Sequence, residues 1–253
     1  CDSASSSLLQ LDNNSSLFID SVHQSGLTTV LQRCGNSSVL FINSGSFGLI
    51  DVIGQTDNLS SLSLNSVDIL SMLGTNPNKT FANSNIAFSN STFTSSSQVI
   101  EFKCCTCVSF DNLTILGDMG INFNNSSVSF NSFISNASNP LNFVNCRVIG
   151  SSLTLNPSTS TSRLSFSSTT CNFDTINLPE VDAGGTSLVC FNSNVSTNNI
   201  NIQNPGTNQL LAFNINNTNF QVNNFNLSTL TSEFNYQSTS SNNHISALSI
   251  NTT

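Results

Sequence analysis

One short pattern recurs along this chain and restricts its folding more than any other feature. An aromatic or leucine residue is followed at once by a polar, Asn-rich turn, and the unit returns every 17 to 25 residues. The anchors are Phe18, Phe41, Leu64, Phe81, Phe102, Phe123, Phe143, Phe166, Phe191, Phe213 and Phe234. Two residues after the anchor stand Asp20, Asn43, Asn83, Asn125 and Asn145; five after it stand Ile69, Ile86, Cys107, Val128, Val148 and Cys171. Gly120 to Asn139 shows the unit plainly: short apolar–polar alternations joined by Asn-rich turns, which is strand periodicity. No unit is long enough to bury an apolar face alone, but stacked units bury one jointly. The spacing predicts an all-β, single-domain parallel β-helix of about 10–11 coils of 20–24 residues. Residues 15–253 form the repeats, and residues 1–14 form an amino-terminal cap with one apolar patch. The Phe column is core, and the Pro- and Gly-bearing segment 178–185 is a longer corner loop.

The composition fits that reading. The 253 residues include 41 Asn, 48 Ser and 24 Thr, while charged residues are 7% and Trp is absent. Periodic Phe, Ile and Val distinguish the chain from a disordered polar tract. Asn suits solenoid corners because it tolerates left-handed backbone, and Asn stacked on Asn can form a hydrogen-bonded ladder. A net charge of −8 with five Lys and Arg argues against nucleic-acid binding. No apolar run of 18 residues is present, so no transmembrane segment is expected. The chain begins at Cys1, which fits a processed secretory protein, a trimmed span, or a lipid-bearing amino-terminal cysteine; the last would leave seven other cysteines, an odd number.

The anchor–Asn pattern, the coil length and GGTSLVCFNSN at 184–194 resemble the right-handed parallel β-helices of the pectin-lyase-like superfamily, and the FxxN and GGA repeats of secreted β-helix adhesins. The resemblance covers nearly the whole chain, and it implies right-handedness. Enzymes of the superfamily use clustered Asp, with Arg or Lys nearby, for calcium or acid–base work. Here ten Asp and three Glu are scattered. Two carboxylates acting on one glycosidic bond stand roughly 5–10 Å apart. In aligned coils Asp20 meets Asn43, and Asp111 meets Asn131 or Ser132; Asp174 and Glu180 are the best remaining pair. His23 and His244 stand alone, Arg147 and Arg163 lie in adjacent coils, and Gly184–Gly185 lacks a phosphate-loop context. No catalytic site, cofactor or metal is expected, and the single Tyr236 is thin material for a sugar platform.

The eight cysteines are Cys1, Cys34, Cys104, Cys105, Cys107, Cys146, Cys171 and Cys190. CCTC at 104–107 lacks the His of a zinc finger, and disulfides are the favoured reading. Bridged Cα atoms lie within about 7 Å, so only neighbouring coils can pair. Cys1–Cys34 and Cys146–Cys171 are the pairs to test, with Cys107 and Cys171 as alternative buried thiols sharing one inward column. Asn-X-Ser/Thr acceptors stand at Asn13, Asn14, Asn36, Asn58, Asn78, Asn90, Asn112, Asn124, Asn125, Asn136, Asn194, Asn216, Asn226 and Asn251, mostly at corners or exits. Chance alone gives about 12 in such a composition, so placement is more informative than number.

Both ends of the chain lack an obvious cap, and a β-helix end is an edge that recruits further strands, so either the native chain continues beyond this span or each rod docks end to end with the next. Leu8, Leu9, Leu11, Ile245, Leu248 and Ile250 are therefore candidates for a head-to-tail junction. The sequence leads to an extracellular, non-enzymatic structural protein, self-associating into a filament, coat or wall and bearing N-glycans. The alternative is a carbohydrate-binding or carbohydrate-active β-helix, or a cell-surface adhesin.

Overall fold

The structure is a computed structural model. It describes residues 7–11, 16–24, 29–34, 39–42, 45–47, 50–53, 61–65, 67–69, 78–82, 85–136, 140–155, 164–179, 186–203, 211–228, 234–240 and 242–251. Among these the fold is all-β, without a helix, and every strand pairing is parallel. The expected parallel β-solenoid is present. Register partners in neighbouring rungs stand 20 to 26 residues apart.

Each rung presents three faces. One rung runs through Leu141–Val144 and then Arg147–Leu155; the next runs through Leu164–Ser167 and Thr170–Pro179. The second strand of a rung itself turns midway, as at Asn90 (φ 48°) within Asn85–Lys103, so it supplies the second and third faces, and this one runs on into the first face of the next rung at Phe102. Alternation then decides burial. In Arg147–Leu155, Val148, Gly150, Leu153 and Leu155 point inward while Arg147, Ile149 and Ser151 face solvent.

On the first face Phe81, Phe102, Phe123, Phe143 and Phe166 lie one above another, followed by Cys190 and Ile215. The five rings stack nearly parallel, with centroids 5.3, 4.9, 4.8 and 5.4 Å apart. That spacing follows from strands about 4.8 Å apart, and it lets each ring cover the next at little steric cost. The second face stacks Ile86, Val108, Val128, Val148, Cys171 and Val195, beside Phe88, Phe110, Phe130, Gly150, Phe173 and Thr197. The third stacks Leu113, Phe133, Leu153, Ile176, Ile200 and Phe225.

Six anchors depart from the sequence reading: Phe18, Phe41 and Leu64 lie on strands that run in register with Asn85–Ser89 of the second face, Leu64 opposite Phe88, and Phe191, Phe213 and Phe234 fall outside the first-face column. Phe191 is 49% exposed, because Cys190 takes the inward slot above Phe166. Phe213 is buried, but one column away, above Leu188. Phe18 is 69% exposed, while Leu17 and Ile19 beside it are partly buried against the core. In these three cases a neighbouring apolar residue wins the inward position, and a strand shifted by one residue exchanges its faces. Ser7–Leu11, inside the segment assigned to a cap, is a strand paired in parallel with Thr29–Cys34.

Candidate functional site

The first corner, between the first and second faces, is built by a two-residue device. A residue in left-handed conformation turns the chain, and the next residue points inward. The turning residues are Asn125, Asn145, Ser168, Asn192 and Asn217, with φ between 44° and 51°. The inward residues are Ser126, Cys146, Thr169, Ser193 and Thr218, all buried. Their hydroxyls accept backbone N–H bonds from the rung before: Cys146 N–H donates to Thr169 Oγ1 at 3.2 Å, Thr169 N–H to Ser193 Oγ at 3.2 Å, and Ser193 N–H to Thr218 Oγ1 at 3.2 Å. The corner N–H groups, which a ladder of flat strands cannot reach, are thereby satisfied. Sequence reasoning found the Asn and missed the inward hydroxyl, since a polar residue in a strand pattern reads as outward. A recurring Asn/Ser followed by Ser/Thr/Cys, two and three residues after the first-face column residue (Phe123, Phe143, Phe166, Cys190, Ile215), is the signal that marks it.

Outside the core, asparagine amides bond from rung to rung, as the composition suggested. Asn201 Nδ2 donates to Asn177 Oδ1 at 2.9 Å and Asn226 to Asn201 at 2.8 Å; Asn217 reaches Asn192 at 2.7 Å, and Asn223 reaches Asn198 at 2.9 Å. Asp111 accepts from Asn131 at 3.3 Å, the neighbour expected from sequence, and Asp174 accepts from Asn198 at 3.2 Å. His244 is exposed, with its Nε2 3.1 Å from Ser246 Oγ.

Several sequons coincide with this architecture. Asn90, Asn112 and Asn125 are left-handed corner residues. The Ser126 and Thr218 hydroxyls that complete the acceptors at Asn124 and Asn216 are buried corner hydroxyls. Asn194 accepts an amide bond from Asn219, and Asn226 is half-buried in its ladder. Asn136 follows Ser127–Ser135, Asn78 opens a strand and Asn251 closes one. Asn13, Asn14, Asn36, Asn58, Cys1 and Glu180 lie outside the described residues.

A depression of about 300 Å³ lies on the second face, where Gly150 interrupts the Phe column. The Phe130 ring fills the space a side chain at 150 would occupy: an added Cβ would stand 2.2 Å from Phe130 Cε2. Phe130 and Phe173, two rungs apart, consequently approach to 5.7 Å between centroids. The rim is Ser129, Asn131, Ser151, Asn172 and Asp174, with half-exposed Ile149 beside them. Among the described residues Asp174 is the single carboxylate lining it. Among the described residues no group of three or more His, Cys, Asp or Glu is placed to hold a metal ion.

Cys146 and Cys171 do not pair as expected, and the Cys1–Cys34 pair lies outside the described residues because Cys1 does. Cys104, Cys105, Cys107, Cys146, Cys171 and Cys190 are all free thiols. Cys146 occupies the corner column, where its neighbour in the next rung is Thr169, and its Sγ–H donates to the Val144 carbonyl at 3.2 Å. Cys171 sits in the second-face column between Val148 and Val195, so the two thiols belong to different columns. Burial raises the pKa of Cys146, Cys171 and Cys190; Cys171, pushed well up, also faces repulsion from the other two as thiolates. Cys107 is exposed, and Val108 holds the inward slot expected for it.

At the far end of the described solenoid, Phe234–Ser238 and Asn243–Asn251 form the last rung. Leu248 pairs above buried Phe225 and Ile250 above buried Leu227, yet they are 56% and 51% exposed. Ile245 is partly buried above Val222. Leu8, Leu9 and Leu11 lie on the strand Ser7–Leu11. No helix among the described residues is long and apolar enough to cross a membrane. No family model matches the chain, and neither a curated protein nor a solved structure matches it.

Proposed function

We propose that this protein is an extracellular, non-enzymatic structural subunit that stacks end to end and carries N-glycans, on a right-handed pectin-lyase-like β-helix. The observation that carries the reading is the last rung. Leu248 and Ile250 continue two core columns and are more than half exposed. A rung of that kind is completed by another rung, which brings both apolar cover and backbone partners. Further rungs of the same chain would supply that cover, and so would a second copy docking head to tail, which does not close the assembly and gives a filament.

Sedimentation of the native protein tests the reading. Concentration-dependent, elongated species are expected, and Leu248→Lys with Ile250→Lys reduces them to monomer. Monodisperse monomer for both proteins across the micromolar range overturns it. Peptide mapping with and without glycosidase tests the modification, with Asn124 or Asn125 and Asn216 the first acceptors to inspect; bare peptides at every acceptor remove it.

A second reading rests on the depression over Gly150. Its mostly uncharged polar rim, with Asp174 as an acceptor, suits a neutral sugar. Amide shifts confined to Ile149–Ser151 and Asn172–Asp174 on titration with neutral oligosaccharides are expected, and unchanged spectra remove it.

A further inference from the structure

The corner at Cys104–Cys107 is unlike the others. From the stacked column of the first face to the first inward residue of the second, the step is five residues at Phe81–Ile86, Phe123–Val128, Phe143–Val148, Phe166–Cys171, Cys190–Val195 and Ile215–Phe220. It is six at Phe102–Val108. One residue is inserted here, and the chain bends at Cys104 and again at Thr106. The insertion also explains why Cys107 leaves the inward slot to Val108 and turns to solvent. A bulge of this kind re-aims a side chain.

The turning residue is also unusual. Cys104 has φ 53°, a left-handed conformation that the neighbouring rungs give to Asn125 and Asn145. Asn adopts it readily, whereas a cysteine gains nothing locally from it. The third thiol is committed elsewhere. Cys105 is buried, its N–H donates to Ser126 Oγ at 3.0 Å, and its Sγ–H faces the Phe81 carbonyl at 3.3 Å. What remains on the outer side is a C-x-x-C pair, Cys104 and Cys107, both exposed, across a doubly bent segment.

We propose that Cys104 and Cys107 are a thiol–disulfide couple that closes across the inserted corner by exchange with low-molecular-weight disulfides. The thiolate of one cysteine attacks the external disulfide, forms a mixed disulfide and releases one small thiol. The thiolate of the other then attacks the protein sulfur of that mixed disulfide. This forms the Cys104–Cys107 bond and releases the second small thiol. The pair loses two electrons and two protons, and one external disulfide becomes two thiols. Closure requires the two Cα atoms to stand within about 4.4–6.8 Å, and the bends at Cys104 and Thr106 shorten the segment toward that span. The free thiols seen here are the reduced form of the couple.

The test equilibrates the full chain in reduced and oxidised glutathione, traps free thiols by alkylation, and locates bonds by peptide fragmentation. In the oxidising buffer the segment 104–107 is expected to lose two hydrogens and both alkylation sites, and reducing buffer restores them. Cys105, Cys146, Cys171 and Cys190 stay reduced and are alkylated only after unfolding. Cys104→Asn and Cys107→Ser supply the residues that the next rung carries at these positions, Asn125 and Ser127. Each variant is expected to keep the wild-type circular dichroism spectrum and to stop at a single glutathione adduct. Free thiols at 104 and 107 in the oxidising buffer overturn the proposal, as do stable glutathione adducts on the wild type, a bond to Cys105, or a bond between two chains.

Discussion

Phe123 is the most informative position to perturb. Its ring is fully buried, lies between Phe102 at 4.9 Å and Phe143 at 4.8 Å in near-parallel stacks, and meets Phe110 at 5.8 Å. Truncation to Ala removes the transfer free energy of the ring and leaves a cavity bounded by stacked rings that backbone register holds apart. Phe→Ala changes of this kind cost about 3–5 kcal/mol. Each lost ring pair accounts for about 0.5–1.5 kcal/mol, so the cost belongs in the upper half of that range. Phe191→Ala is the control. About half of that side chain is already in water, so its loss costs about 1 kcal/mol, roughly half of full burial. Urea unfolding followed by far-ultraviolet circular dichroism reads both, since the chain has no Trp. In a solenoid the Phe123 lesion is also expected to weaken coupling between the rungs before and after it, broadening or splitting the transition. A cost under about 1 kcal/mol at Phe123, or equal costs at the two positions, refutes the register.

Two further outcomes are expected. Gly150→Ala places a Cβ 2.2 Å from Phe130 Cε2, so the ring must leave its seat at a cost of about 1–3 kcal/mol; Phe130→Ala in the same chain should recover part of it, and strict additivity in a double-mutant cycle would contradict the geometry. The second concerns alkaline pH. Cys146, Cys171 and Cys190 have folded pKa values raised above the ordinary thiol value of 9.0. A raised folded pKa means that the native state holds its proton more tightly than the unfolded state does. The stabilisation is whole below about 9 and falls as pH rises beyond it. Melting temperature should drop above that pH, and less so in Cys171→Val, which substitutes the residue standing at 148 and 195; an identical alkaline slope in the variant would contradict this.

The fold was legible because its signal is repeated. Phe81, Phe102, Phe123, Phe143 and Phe166 could be aligned by eye, and they stack in that register. Errors arose where one residue decides the face. At Cys190–Phe191 two adjacent residues are apolar, and the smaller goes inside. At Cys105–Cys107 the inserted residue displaced the fifth position outward. Both are single-residue effects that a repeat of variable length conceals. The corner hydroxyls were hidden for another reason: Ser126, Thr169 and Thr218 are polar and buried, against the pattern rule, because they substitute for missing backbone partners. The depression over Gly150 depends on a Phe ring swinging into a neighbouring rung, which no linear pattern records.

The regular offset between paired strands has a mechanical corollary. Every rung is joined to the next through partners 20 to 26 residues away, and to the rest of the rod through its neighbours, save for the Phe130–Phe173 contact across two rungs. Tension applied to the two ends of the chain therefore loads the terminal rungs, and those peel in order. Each peeled rung frees one repeat of backbone, about 70–90 Å at roughly 3.3–3.6 Å per residue. Under a steady pull the rod would lengthen in near-equal increments, interrupted where one long-ringed level gives way to the next, and it would rewind along the same path when released. A molecule so arranged behaves as an extensible, self-restoring tether whose step length is written in the spacing of its Phe residues.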